Sequence, residues 1–159
     1  MNRRTVALMV SFLIAPAALG AQGHETITIT GANVTFSAPT AADFNNGYLP
    51  ASGALTYTVK SAAGGNGISH TSSVSVRSTA ATLGGTKPIS DLQWRRSDLA
   101  TWNSMTTTAA FVEQRTIVRK GTNDPWSNQI FFQMLLSFAN DAPGTHSGTL
   151  VFVLTITTP

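Results

Sequence analysis

Cysteine is absent from the 159 residues. Its absence excludes disulfide cross-links, zinc–thiolate centres, thiol catalysis and haem attachment through cysteine. Charge is also scarce, at 11% of the chain. The seven carboxylates are scattered about one to a segment, a thin supply for paired acid–base catalysis or for calcium. A hydrolase would need Asp43, Asp91, Asp98 and Asp124 to converge in three dimensions, and nothing in their spacing asks for that. The three histidines, His24, His70 and His146, share no H-x-H or H-x-x-x-H spacing and are read as loop residues. No G-x-S-x-G elbow is present. The expectation is a protein that is not an enzyme, with no metal and no cofactor.

The chain opens with "MNRRTVALMVSFLIAPAALGAQG". Arg3 and Arg4 precede an apolar run, interrupted by Ser11 and Pro16, that is short for a bilayer span and ends in small residues. This is the pattern of a cleavable secretory signal, with cleavage placed after Gly20. Residues 1–20 are therefore read as a signal peptide and 21–159 as one domain, with no membrane span once the signal is removed. Arg3 and Arg4 are two of the ten Lys and Arg residues, so the processed chain carries eight against seven Asp and Glu. Near-neutrality argues against nucleic acid, which requires clustered cations. The roughly 139 residues that remain suffice for one buried core.

Apolar and polar residues alternate in run after run, the signature of strands with one buried face. Inward positions are assigned to Ile27 and Ile29, Val34 and Phe36, Leu55, Tyr57 and Val59, Val74 and Val76, and Leu92 and Trp94. In "AAFVEQRTIVRK" the same rule aligns Val112, Gln114, Thr116 and Val118. "NQIFFQMLLSF" reads as a central strand with Ile130, Phe132, Met134, Leu136 and Phe138 on one face. Turn signals such as "NNGY", "LGGTKP" and "NDAPG" separate the runs, and "APTAADFNNGYLPASG" has room for a short turn of helix. The fold class expected is all-β: a single immunoglobulin-like antiparallel β-sandwich of about eight strands, with a closed barrel as the structural rival.

Two features bear on binding. Trp94 and Trp102 flank "RRSDLAT", a hairpin in which Ser97 and Asp98 are expected to hydrogen-bond back onto the turn. Trp94 shares a face with Leu92 and reads as core. Trp102 and Trp126, with Tyr48, would form a stacking platform for sugar rings if exposed together. That is the alternative reading, a carbohydrate-binding module.

The final stretch "NDAPGTHSGTLVFVLTITTP" resembles the closing turn and strand of small exported bacterial β-sandwich subunits, the spore-coat-U and pilin-like group. In those proteins a "PGTYSGTLTVTVT" pattern precedes the C-terminus, and His146 stands here at the Tyr position. The resemblance covers about twenty residues, and it implies a structural subunit of a surface layer or fibre, sometimes completed by a strand from the next subunit. The last strand is expected to pair in cis with the run Ile130–Phe138 through a turn at Pro143-Gly144. A strand given to a neighbour would more naturally be "HETITITG", through Ile27 and Ile29. The expected location is periplasmic, secreted or at the cell surface. The expected partners are further copies or another envelope protein, with a polysaccharide under the alternative reading.

Overall fold

Short alternating runs in this chain form strands because every second side chain can leave water while its neighbours stay solvated. The computed structural model describes residues 6–9, 26–31, 33–60, 66–120, 125–141 and 146–157, with backbone alone at 6–9, 66–70 and 117–120. The cleavage site after Gly20, His24, Asp124 and the Pro143-Gly144 turn lie outside them.

Eleven strands are present among the described residues: β1 (Val6–Met9), β2 (Thr26–Thr30), β3 (Asn33–Phe36), β4 (Tyr48–Pro50), β5 (Leu55–Lys60), β6 (Asn66–Ser78), β7 (Leu92–Arg96), β8 (Asn103–Ser104), β9 (Ala110–Lys120), β10 (Trp126–Leu135) and β11 (Leu150–Thr157). The fold is all-β, and every ladder is antiparallel. One six-stranded sheet runs β2-β5-β10-β7-β8, with β4 beside β5 on the same edge of β10. A three-stranded sheet runs β11-β6-β9, and β1 and β3 form a two-stranded ribbon. His70, expected in a loop, lies within β6 opposite Ile117. The one α-helix among the described residues, α1 (Ala41–Asn46), starts at a capping box in which Thr40 and Asp43 bond reciprocally. The backbone N–H and hydroxyl of Thr40 both donate to the Asp43 carboxylate at 2.7 Å, holding its pKa below the usual carboxylate value.

Both large sheets contribute to one apolar cluster. Leu55, Tyr57, Val59, Leu92, Trp94, Ile130, Phe132 and Met134 come from the six-stranded sheet, and Val74, Val76, Val112, Leu150 and Phe152 from the three-stranded one. Val34 and Phe36 of β3 belong to the same cluster, and Ile27 and Ile29 pack against it half-buried. These inward assignments agree with the alternation in the sequence.

Three expectations are corrected. The last strand does not pair with β10; β11 lies against β6, from Leu150 opposite Ser78 to Thr157 opposite Thr71. A hairpin with β10 is blocked because both of its edges are taken, one by β5 and β4 and the other by β7. Phe138 is not inward: β10 ends at Leu135, and Phe138 is exposed, stacked on Phe44 with ring centroids 4.4 Å apart. In β9 the pairing steps from Glu113–Val74 to Phe111–Ser75, leaving Val112 as the extra residue of a bulge. A bulge reverses the inside–outside parity of the strand beyond it. Val112 and Glu113 are consequently both buried, and Gln114 and Thr116 are exposed.

Gly31 joins β2 to β3 at φ 73°, and a Cβ there would meet the Ala54 carbonyl oxygen at 2.6 Å. Both the left-handed backbone and the close approach demand glycine. Gly31→Ala is expected to destabilise by more than about 1 kcal/mol in urea unfolding, and an unchanged midpoint would contradict the β2–β3 geometry. By the same measurement Phe132→Ala should cost about 3–5 kcal/mol, and the exposed Phe111→Ala less than about 0.5.

Candidate functional site

The first candidate is the outer edge of β3. On one side of that strand the Thr35 carbonyl accepts the Ser52 backbone N–H at 2.9 Å, and the Thr35 and Ser52 hydroxyls are 2.6 Å apart. Alternate residues of a strand aim their backbone groups at opposite edges. Val34 and Phe36 therefore turn theirs to the other side, where Leu8 and Val6 of β1 stand opposite them. Their side chains are sealed in the core, each 1% exposed. An unpaired strand edge beside such an apolar interior is a template for another extended segment. Here the template is covered by residues from the stretch that reads as a signal peptide.

Ile27 and Ile29 sit in β2, the outermost strand of the six-stranded sheet, opposite Val59 and Tyr57 of β5. Their outward neighbours Thr26, Thr28 and Thr30 are exposed.

The three residues of the sugar-platform reading are not brought onto one surface. Trp126 is buried at the start of β10, with its ring edge-on to Tyr57 and under the Arg115 guanidinium. Tyr48, 44% exposed, pairs with Leu135 at the other end of β10, about 30 Å away at the rise of an extended chain. Trp102 is half-buried. The Arg95 guanidinium lies 5.0 Å from its ring centroid and 4.9 Å from that of Phe131, and donates to the Leu99 carbonyl at 2.8 Å. That arrangement fixes an aromatic–cation–aromatic stack on the face away from the core.

The carboxylates also sit apart in role. Asp43 caps α1, Asp91 and Asp141 hold Lys87, and Asp98 takes the Arg96 guanidinium, with Arg96 Nε 2.8 Å from its Oδ1. Asp98 thus binds chiefly a side chain, with a smaller contribution from the turn backbone at its own N–H, and Ser97 donates to Asn128 at 2.8 Å. The Arg96 contact holds the Asp98 carboxyl down at about 2. His146 places Nδ1 3.1 Å from the Leu83 carbonyl. Among the described residues no three His, Cys, Asp or Glu are grouped to hold a metal, and no helix is long and apolar enough to cross a membrane.

Sequence alternation missed one cluster, built on Glu113. The β9 bulge turns this carboxylate inward, where the Tyr57 hydroxyl donates to it. Arg115 Nε donates to its Oε1 at 2.9 Å, and Arg96 Nη1 lies 3.9 Å from its Oε2 and donates to the Val112 carbonyl at 3.1 Å. Burial, then the neighbouring carboxylate, push the Tyr57 phenol far above its ordinary value, so it stays protonated as the donor. The cluster ties β5 and β7 of one sheet to β9 of the other. The legible signal was the Glu-x-Arg pair Glu113 and Arg115 in a chain otherwise poor in charge.

No protein-family model matches this sequence, and a search of curated proteins finds no match.

Glu113→Ala, which orphans the buried Tyr57 hydroxyl, should destabilise by about 3 kcal/mol. In a double-mutant cycle Tyr57→Phe and Glu113→Gln should fall short of additivity by about 1 kcal/mol or more. Additive effects would show that the pair does not act together. Because Asp98 has a depressed pKa, its modest, salt-screened contribution is complete above about pH 4 and disappears as the pH falls through about 2. An NMR titration of its carboxyl should find that low midpoint, and a midpoint near 3.9 would dismiss the Arg96 contact in solution.

Proposed function

We propose that this is an exported structural or adhesive protein of a bacterial cell surface, a single immunoglobulin-like β-sandwich acting as a subunit of a surface layer or fibre. One observation carries the reading: the strand that covers the β3 edge, Val6–Met9, comes from the segment whose sequence marks it for removal. Processing after Gly20 strips that cover. The backbone groups of Val34 and Phe36 are then without their partners, directly above the core. An incoming strand from another copy restores the ladder and needs apolar residues two apart, as Val6 and Leu8 are. Ile27 and Ile29 have that spacing and lie on a strand that, among the described residues, is held by β5 alone. Strand addition of this kind assembles copies without catalysis, cofactor or disulfide.

A narrower form of the carbohydrate-binding reading is favoured by the Trp102–Arg95–Phe131 stack, which presents one rigid, half-exposed aromatic on a sheet face. Trp126 drops out of that reading because it is buried.

Size-exclusion chromatography with light scattering on residues 21–159 should show oligomers that grow with concentration, and a peptide carrying residues 5–10 should reduce them by occupying the β3 edge. A strict monomer at every concentration, with no partner recovered from the cell envelope, overturns the proposal. For the second reading, titration with cell-wall and plant polysaccharides should change tryptophan emission in the native protein and not in Trp102→Phe. An unchanged spectrum across the panel removes it.

A further inference from the structure

Lys87 is buried, its side chain 3% exposed, and its ammonium is shared by two carboxylates: Asp141 Oδ1 at 2.6 Å and Asp91 Oδ2 at 3.0 Å. The three residues are held from three directions. Segment 82–88 folds back on itself, with Thr82 bridged to Pro88 and the Leu83 N–H donating to the Lys87 carbonyl at 2.8 Å. Asp91 ends the adjoining 3-10 turn, Ile89–Asp91. Asp141 is clamped by its own neighbourhood: its Oδ2 accepts the Ser137 N–H at 2.9 Å, and its N–H donates to the Ser137 carbonyl at 3.0 Å. The carboxyl group is thereby oriented with its other oxygen on the lysine.

A buried ion pair is costly, since both charges are withdrawn from water. An amide made from the same atoms is neutral and is far cheaper to bury. Amide formation from an amine and a carboxylate is unfavourable between free molecules in water, but here both reactants are held in place. The 2.6 Å contact puts the lysine nitrogen within about 3–3.5 Å of the carboxyl carbon, the separation of a near-attack arrangement. A desolvated lysine is also a better nucleophile than a hydrated one. The third requirement is a group to move protons, and Asp91 stands on the same nitrogen.

We infer that Lys87 and Asp141 form an intramolecular amide cross-link, with Asp91 as the proton relay. Lys87 gives one proton to Asp91, and the freed nitrogen pair attacks the Asp141 carboxyl carbon. The C–O bond then breaks as the leaving oxygen takes the proton held by Asp91 and a second one from the nitrogen. Two of the three ammonium hydrogens depart with that oxygen as one water, one remains on the new amide, and Asp91 returns to its starting state. No oxidant, metal or cofactor enters. The product ties the β6–β7 connection to the β10–β11 connection, a covalent staple in a chain without cysteine.

Intact mass spectrometry of the purified protein, with its N-terminus determined by sequencing, tests this. The native protein should be lighter than its sequence by one water, and digestion should yield a branched peptide joining Lys87 to Asp141. Lys87→Arg, which keeps the cation and removes the nucleophile, should show the full mass. Asp91→Asn, which keeps the shape and removes the relay, should lose most of the cross-link while circular dichroism is unchanged. Full mass in the native protein, with Lys87 and Asp141 in separate linear peptides, overturns the inference. So does a missing water that maps to any other site, a cyclic imide at Asp141 included.

Discussion

Leu55, Tyr57, Val59, Ile130 and Phe132 on one sheet and Val74, Val76, Leu150 and Phe152 on the other are withdrawn together from water, and each such side chain contributes about 1.5–3 kcal/mol by its burial. No cysteine assists them. β10 stands at the centre of this arrangement because both of its edges are paired and one face is apolar along most of its length. With β10 enclosed, the next strand has to find a partner elsewhere. The next described strand, β11, belongs to the three-stranded sheet, and between the two strands Asp141 meets Lys87 and His146 meets Leu83. The polar contacts of the connections are thus consequences of how the apolar faces are shared out.

Polar groups inside this interior are few and placed where the sheets need to be tied. Glu113 reaches Tyr57 across the core and is neutralised by Arg115, with Arg96 nearby. Such a cluster adds little net stability and penalises any packing that separates its members. It leaves the edges of the sheets as the places where pairing can change. β2 is held from one side, and β3 is covered by a strand from a stretch that reads as a leader.

Much of this is legible from the residues, for identifiable reasons. Strict alternation around Leu55, Tyr57, Val59, Ile130 and Phe132 declares the inward face, and the stretch "APTAADFNNGYLPASG" leaves room for the short helix that forms at Ala41–Asn46. What alternation does not encode is which strands become neighbours, so it points β11 to the wrong partner. Nor does it announce a bulge: the single extra residue at Val112 moves Glu113 into the core and Thr116 out of it. Exposure of aromatics is equally hidden. Trp126 and Trp102 look alike in sequence and each lies beneath an arginine, yet the first is buried in the core and the second half-exposed. Lys87 has a local signal only in Asp91, four positions on, because its other partner, Asp141, is 54 positions away.

Hydrogen–deuterium exchange on residues 21–159 at low concentration addresses the central claim, an interior shared by two sheets with an edge left open by processing. The account predicts slow exchange in β5, β6 and β10 and rapid exchange at Val34 and Phe36, which becomes slow as the concentration rises. Protection of β3 equal to that of β10 in the dilute monomer, or loss of protection in β10 itself, would contradict it.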